Sequence, residues 1–118
     1  MKKIISSVIL ISVVLISCLK SGVSVHIQNS TRSEIKEVIL EFTGGKEIIS
    51  KLPSGVEVSK IVNPTGESSL TVSYSIGDNS YQKKIDVYFE PNYKGDLFLK
   101  IKDQGKITWN SQVRLPTF

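Results

Sequence analysis

One histidine, His26, is the only imidazole in this 118-residue chain, so any general-base chemistry that needs histidine rests on it. It stands in "VSVHIQ", where Val23, Val25 and Ile27 alternate with Ser24, His26 and Gln28. That alternation points His26 away from a core, and no acid stands at a useful spacing in its sequence neighbourhood. A serine nucleophile would need a positioned base, and the many serines here fall in turns and on solvent faces. The stretch "GESSL", residues 66–70, lacks the second glycine of a nucleophile elbow and leads into a strand rather than a helix. The carboxylates are scattered singly; Glu34, Glu37 and Glu41 sit among lysines and read as a solvated face, with no Asp-rich loop and no His/Cys pairing suited to a metal. Gly44-Gly45 is too short to cradle a phosphate and suits a tight hairpin. The chain therefore reads as non-enzymatic, with no cofactor and no metal expected.

Cys18, the only cysteine, closes the stretch "MKKIISSVILISVVLISC". Lys2 and Lys3 form a positive start, Ile4 to Ile16 is apolar except for Ser6, Ser7 and Ser12, and the small Ser17 precedes the cysteine. This is the layout of a secretory signal peptide. A transmembrane anchor competes with that reading, but Ile4 to Leu19 is shorter than the roughly 20 residues a spanning helix needs, and it leaves the cysteine unexplained. Leu15-Ile16-Ser17-Cys18 resembles the lipobox of bacterial lipoprotein signal peptides: an aliphatic residue at −3, a small or aliphatic one at −2, a small one at −1, then cysteine. The resemblance implies a diacylglyceryl group on the Cys18 sulfur and cleavage before it. Two acyl chains anchor stably where one is marginal, at about 0.8 kcal/mol per buried CH₂. A lone cysteine cannot form an intramolecular disulfide, which leaves a tether as its role.

The resulting division is 1–17 signal peptide, 18–22 tether, 23–110 folded domain and 111–118 C-terminal tail lying over the surface or frayed. The formal charge of +4 falls by two when Lys2 and Lys3 leave. No Lys/Arg run exceeds two residues, so the basic footprint of a nucleic-acid binder is missing.

Beyond Gly22 the hydrophobic period is two. Leu70, Val72, Tyr74 and Ile76 alternate with polar residues, as do Leu97, Leu99 and Ile101 with Phe98, Lys100 and Lys102. Turn signals separate the runs: Asn29-Ser30, Gly44-Gly45, Pro53-Ser54-Gly55, Asn63-Pro64-Thr65-Gly66, Gly77-Asp78-Asn79, Pro91-Asn92 with Gly95, and Asp103-Gln104-Gly105. The spacing predicts strands over 23–28, 35–43, 46–52, 56–62, 69–76, 81–89, 96–102 and 106–110. "SEIKEVILEF" carries a mixed periodicity a helix could use, but its β-branched content favours a strand. Seven to eight short strands imply an all-β, two-sheet antiparallel sandwich of immunoglobulin-like or transthyretin-like type.

The segment "KIDVYFEPNYKGDLFLKIK" reads as a hairpin whose loop runs from Glu90 to Asp96. Pairing Phe89 with Leu97 would set Tyr88 against Phe98, Asp86 against Lys100 and Lys84 against Lys102, with Val87 and Leu99 on the core side. The outer face would then carry Tyr88, Phe98, Lys100 and, on the loop, Tyr93: exposed aromatics beside basic residues, the make-up of a partner-binding surface. Ordinary cross-strand pairing accounts for the same pattern.

The units "VHIQNSTRSEIKEVILEFTGG" and "PTGESSLTVSY", with the "VYFEPNYKGDLFLKI" segment, resemble small lipid-anchored β-sandwich proteins of bacteria, especially low-GC Gram-positive ones. No activity attaches to that group, so the resemblance implies fold and location only. The expected function is a lipid-anchored binding module facing outside the cytoplasm (at the outer membrane in a Gram-negative source) that contacts a protein or a cell-envelope component. The alternative is an immunity or inhibitor lipoprotein that neutralises a toxin or hydrolase outside the membrane.

Overall fold

The computed structural model describes residues 22–115, which form eight strands: β1 (Val23–Asn29), β2 (Ile35–Phe42), β3 (Gly45–Leu52), β4 (Glu57–Val62), β5 (Ser68–Ile76), β6 (Asn79–Phe89), β7 (Lys94–Ile101) and β8 (Ile107–Arg114). They build two four-stranded sheets, in the orders β4-β1-β7-β8 and β3-β2-β5-β6. Each strand buries one face: β1 buries Val23, Val25 and Ile27, β5 buries Leu70, Val72 and Tyr74, and β7 buries Leu97, Leu99 and Ile101. The two apolar faces meet as one continuous core. Among the described residues no helix is long and apolar enough to cross a membrane.

Three features depart from the expectations above. The sandwich is not antiparallel throughout, because β1 and β7 run parallel, Val23 beside Gly95 through Asn29 beside Ile101. Residues 111–114 are not tail but the second half of β8, paired in unbroken register with β7 from Lys94–Arg114 to Ile101–Ile107. The third concerns the 84–102 segment. β6 and β7 belong to different sheets, so Glu90–Tyr93 is an arch that crosses the core and not a hairpin loop. Alternation reports which face of a strand is buried; an arch and a hairpin bury the same residues. Val87 and Leu99 are accordingly both in the core, as expected, but they reach it from opposite sheets.

The mixed periodicity of "SEIKEVILEF" has a local cause. The β2–β5 register slips between Lys36 and Ile39, with Glu37 in the left-handed region at φ 50°. This β-bulge turns both Lys36 and Glu37 outward and resets the phase, so Ile35, Val38 and Leu40 are all buried. At Gly95 the backbone sits at φ 116°, and a Cβ there would run into the Gln112 carbonyl, so glycine lets β7 and β8 close up.

One polar side chain is wholly buried in service of this architecture. Asn29, at the end of β1, donates from Nδ2 to the carbonyls of Ser33 and Leu52, both at 2.8 Å. Its Oδ1 accepts from the Thr31 N–H at 2.9 Å and the Thr31 hydroxyl at 2.7 Å. The amide thus fastens the β1–β2 crossover to the end of β3 with its hydrogen-bonding capacity used.

Candidate functional site

The outer face of the β4-β1-β7-β8 sheet gathers the residues with chemical potential. His26 is outward, as its alternation requires, yet it is not isolated. Antiparallel pairing sets Ser59 of β4 opposite it, and parallel pairing sets Phe98 of β7 on its other side. The Asn29 N–H donates to the Val56 carbonyl at 3.0 Å, so by alternation His26–Ser59 is a non-hydrogen-bonded pair, where cross-strand side chains approach most closely. Ser59 Oγ lies 2.7 Å from His26 Nδ1, and Asp96 Oδ1 lies 2.8 Å from Nε2. An ionised Asp96 can only accept, so Nε2 carries a proton and donates to it; in the neutral ring Nδ1 then accepts from the Ser59 hydroxyl. Phe98 lies over the imidazole, centroids 4.7 Å apart and planes 15° from parallel. The ring is held on both nitrogens and on one face.

Carboxylate, imidazole and hydroxyl in line form the order of groups found in acyl-transfer sites. Such chemistry also needs N–H donors converging on a developing oxyanion. Here the alternation that brings Ser59 to His26 sends the Val58 and Lys60 N–H groups to β1 and the Ser59 N–H to the free edge of β4. The triplet ties β4, β1 and β7 together on their outer face.

Next to the clamp runs a shallow groove of about 410 Å³, lined by Gln28, Glu57, Phe98, Lys100, Thr108 and Asn110. Its floor is the backbone at Leu99 and Trp109, whose side chains point to the inner side of the sheet. Phe98 remains 39% exposed despite its stack on His26. No three His, Cys, Asp or Glu side chains among the described residues cluster as metal ligands do.

The expected binding set is divided by this arrangement. Phe98 and Lys100 lie on this face, while Tyr88 and Tyr93 form a separate pair, edge to face at 6.1 Å, near the β6–β7 arch. Tyr88 does not oppose Phe98, nor Asp86 Lys100, because each pair is split between the two sheets, and Lys84 in β6 does not oppose Lys102, which follows β7 of the other sheet. Tyr88 Oη donates to Glu67 at 3.2 Å and Tyr93 Oη to Glu90 at 3.3 Å. Local desolvation and the Glu67 and Glu90 carboxylates push the Tyr88 phenol up to about 12, and desolvation with Glu90 raises that of Tyr93. Cys18 lies outside the described residues. Sequence reasoning missed Ser59 and Asp96 as partners of His26. They lie 33 and 70 positions away from it, and only strand order brings them together.

No protein-family model matches the chain, and no curated protein matches it. Among solved structures it is similar in fold to an NMR structure of a protein from Eubacterium rectale. The TM-score is 0.55 at 13% identity, covering 84% of this chain and 92% of that one. At that identity the likeness is one of fold alone.

Proposed function

We propose that this chain is a lipid-anchored, non-enzymatic module that binds a protein or cell-envelope component through the outer face of its β4-β1-β7-β8 sheet. The observation that carries the reading is the immobilised His26–Phe98 stack, pinned by Ser59 and Asp96 beside the groove. Side chains already fixed in the free protein lose little entropy on association. An exposed aromatic bordered by Lys100, Glu57, Gln28 and Asn110 offers both an apolar anchor and hydrogen-bonding partners.

The lipobox-like leader supplies the tether, with diacylglyceryl on Cys18. β1 begins at Val23, five residues after Cys18. Two experiments test the two halves separately. Cys18→Ala should abolish labelling by an alkyne fatty acid and leave a larger precursor; labelling equal to wild type would refute the anchor. Crosslinking in cells of the source species should capture a partner with wild type and lose most of it with Phe98→Ser, while Tyr88→Ser captures normally. Undiminished capture by folded Phe98→Ser would move the binding surface elsewhere.

A further inference from the structure

We infer that β8 is a self-association edge, along which two copies of this chain pair antiparallel into one continuous eight-stranded sheet. Four strands end the sheets at an edge: β4, β8, β3 and β6. An open edge invites strand addition, and natural edges are blunted by lysines, other charges, proline or bulges. Three edges are treated in that way. β4 carries Glu57 and Lys60, β3 carries Lys46, Glu47 and Lys51, and β6 carries Lys83, Lys84 and Asp86 with a register irregularity against β5. β8, "ITWNSQVR", has a single charge at its last residue, no proline, and unbroken register with β7. Residues 108–112 are all exposed, so none of the described residues covers it.

The direction of its free groups follows from the hairpin. Lys102 N–H donates to the Lys106 carbonyl at 2.7 Å, and alternation makes Lys100–Thr108, Phe98–Asn110 and Asp96–Gln112 the hydrogen-bonded pairs. Trp109, Ser111 and Val113 therefore aim their N–H and C=O groups away from β7. Consistently, the Val113 N–H donates to the Ser111 hydroxyl of its own strand at 3.4 Å.

A second copy is the occupant this edge fits. In an antiparallel pair with its dyad at Ser111, Trp109 of each copy faces Val113 of the other in a hydrogen-bonded pair. That covers Trp109, 38% exposed here, and the half-buried Val113. On the outer face Asn110 meets Gln112 and Thr108 meets Arg114, so no like charges oppose each other. Arg114 and Gln112 of the second copy would then extend the groove that Thr108 and Asn110 line.

The test is disulfide trapping of the full chain in membranes, with wild type, whose only cysteine is Cys18, as baseline. At the dyad, Ser111 Cα atoms of the two copies would stand about 5.5 Å apart, inside the roughly 4.4–6.8 Å span of a disulfide. Ser111→Cys should give a covalent homodimer on oxidation, well above Ser50→Cys on the exposed outer face of the other sheet. Adding Val113→Pro removes an N–H that β7 does not use and should lower the yield at least about tenfold, the effect of ~1.4 kcal/mol. A Ser111→Cys yield no higher than that of Ser50→Cys overturns the proposal. So does trapping of a different protein at Ser111→Cys, or a folded Val113→Pro variant that dimerises undiminished. If Val113→Pro fails to fold, the Ser111→Cys comparison decides alone.

Discussion

Single atoms carry the sharpest consequences. Asn29 answers four groups at once, and substituting leucine, close in volume, would strand buried N–H and C=O groups of the β1–β2 crossover and β3. With roughly 1–3 kcal/mol for each buried group left unmet, Asn29→Leu should cost about 2–5 kcal/mol in a denaturant melt; a loss under 1 kcal/mol would show the loop re-satisfying itself with water. Tyr74 presents the opposite case. It stacks on Tyr81 at 5.2 Å, and burial raises its phenol, yet its hydroxyl is the buried side-chain polar atom without a partner among the described residues. Removing an unpaired hydroxyl removes a desolvation cost, so Tyr74→Phe should range from neutral to about 1 kcal/mol more stable. A clear destabilisation would mean the hydroxyl is satisfied after all. Tyr88 makes a pH statement. Its phenol is pushed up to about 12, so the folded chain holds that proton more tightly than the unfolded one. The stabilisation is fully present below the ordinary value near 10 and disappears as pH rises from there towards 12. Glu67→Gln removes one of the responsible carboxylates and should bring the phenolate absorbance transition down; an unmoved midpoint would place the cause elsewhere.

At the scale of strands, the arch between β6 and β7 separates Tyr88 from Phe98. A hairpin would have made them a cross-strand pair with a coupling of about 0.2–1 kcal/mol. Residues on opposite outer faces share no partner, so the stability effects of Tyr88→Ser and Phe98→Ser should add to within about 0.5 kcal/mol in the double variant. A larger coupling in a double-mutant cycle would revive the hairpin. The same register logic explains the clamp. Ser59 and Asp96 reach His26 only because β4 joins β1 antiparallel and β7 joins it parallel, in the one register that aligns them.

Across the whole molecule, every strand contributes to one core, from Val23 in β1 to Ile107 in β8. Neither sheet has a second apolar layer to fall back on, so the described residues should unfold in a single transition. Far-ultraviolet circular dichroism and Trp109 fluorescence should lose their signals at coincident denaturant midpoints. Separated midpoints would show that one sheet outlasts the other.

What was legible in the sequence follows from local physics. Period-two alternation announced the strands and their buried faces. Val25, Leu40, Val72, Val87, Leu99 and Ile101 are all in the core because a pleated strand sends every second side chain to one side. Turn chemistry marked the connections, since Gly77 and Gly105 adopt the positive φ that few other residues tolerate. Even the ambiguous "SEIKEVILEF" carried its bulge in its pattern, with Ile35 and Val38 three apart on one face. Tertiary structure alone decided which strands became neighbours. Alternation is blind to whether Glu90–Tyr93 turns back within a sheet or crosses between sheets, and it holds no record of a parallel β1–β7 pair. The His26 clamp, the separation of Tyr88 from Phe98 and the open edge of β8 are all products of strand order, set by how two apolar faces close over each other and not by any residue's own preference.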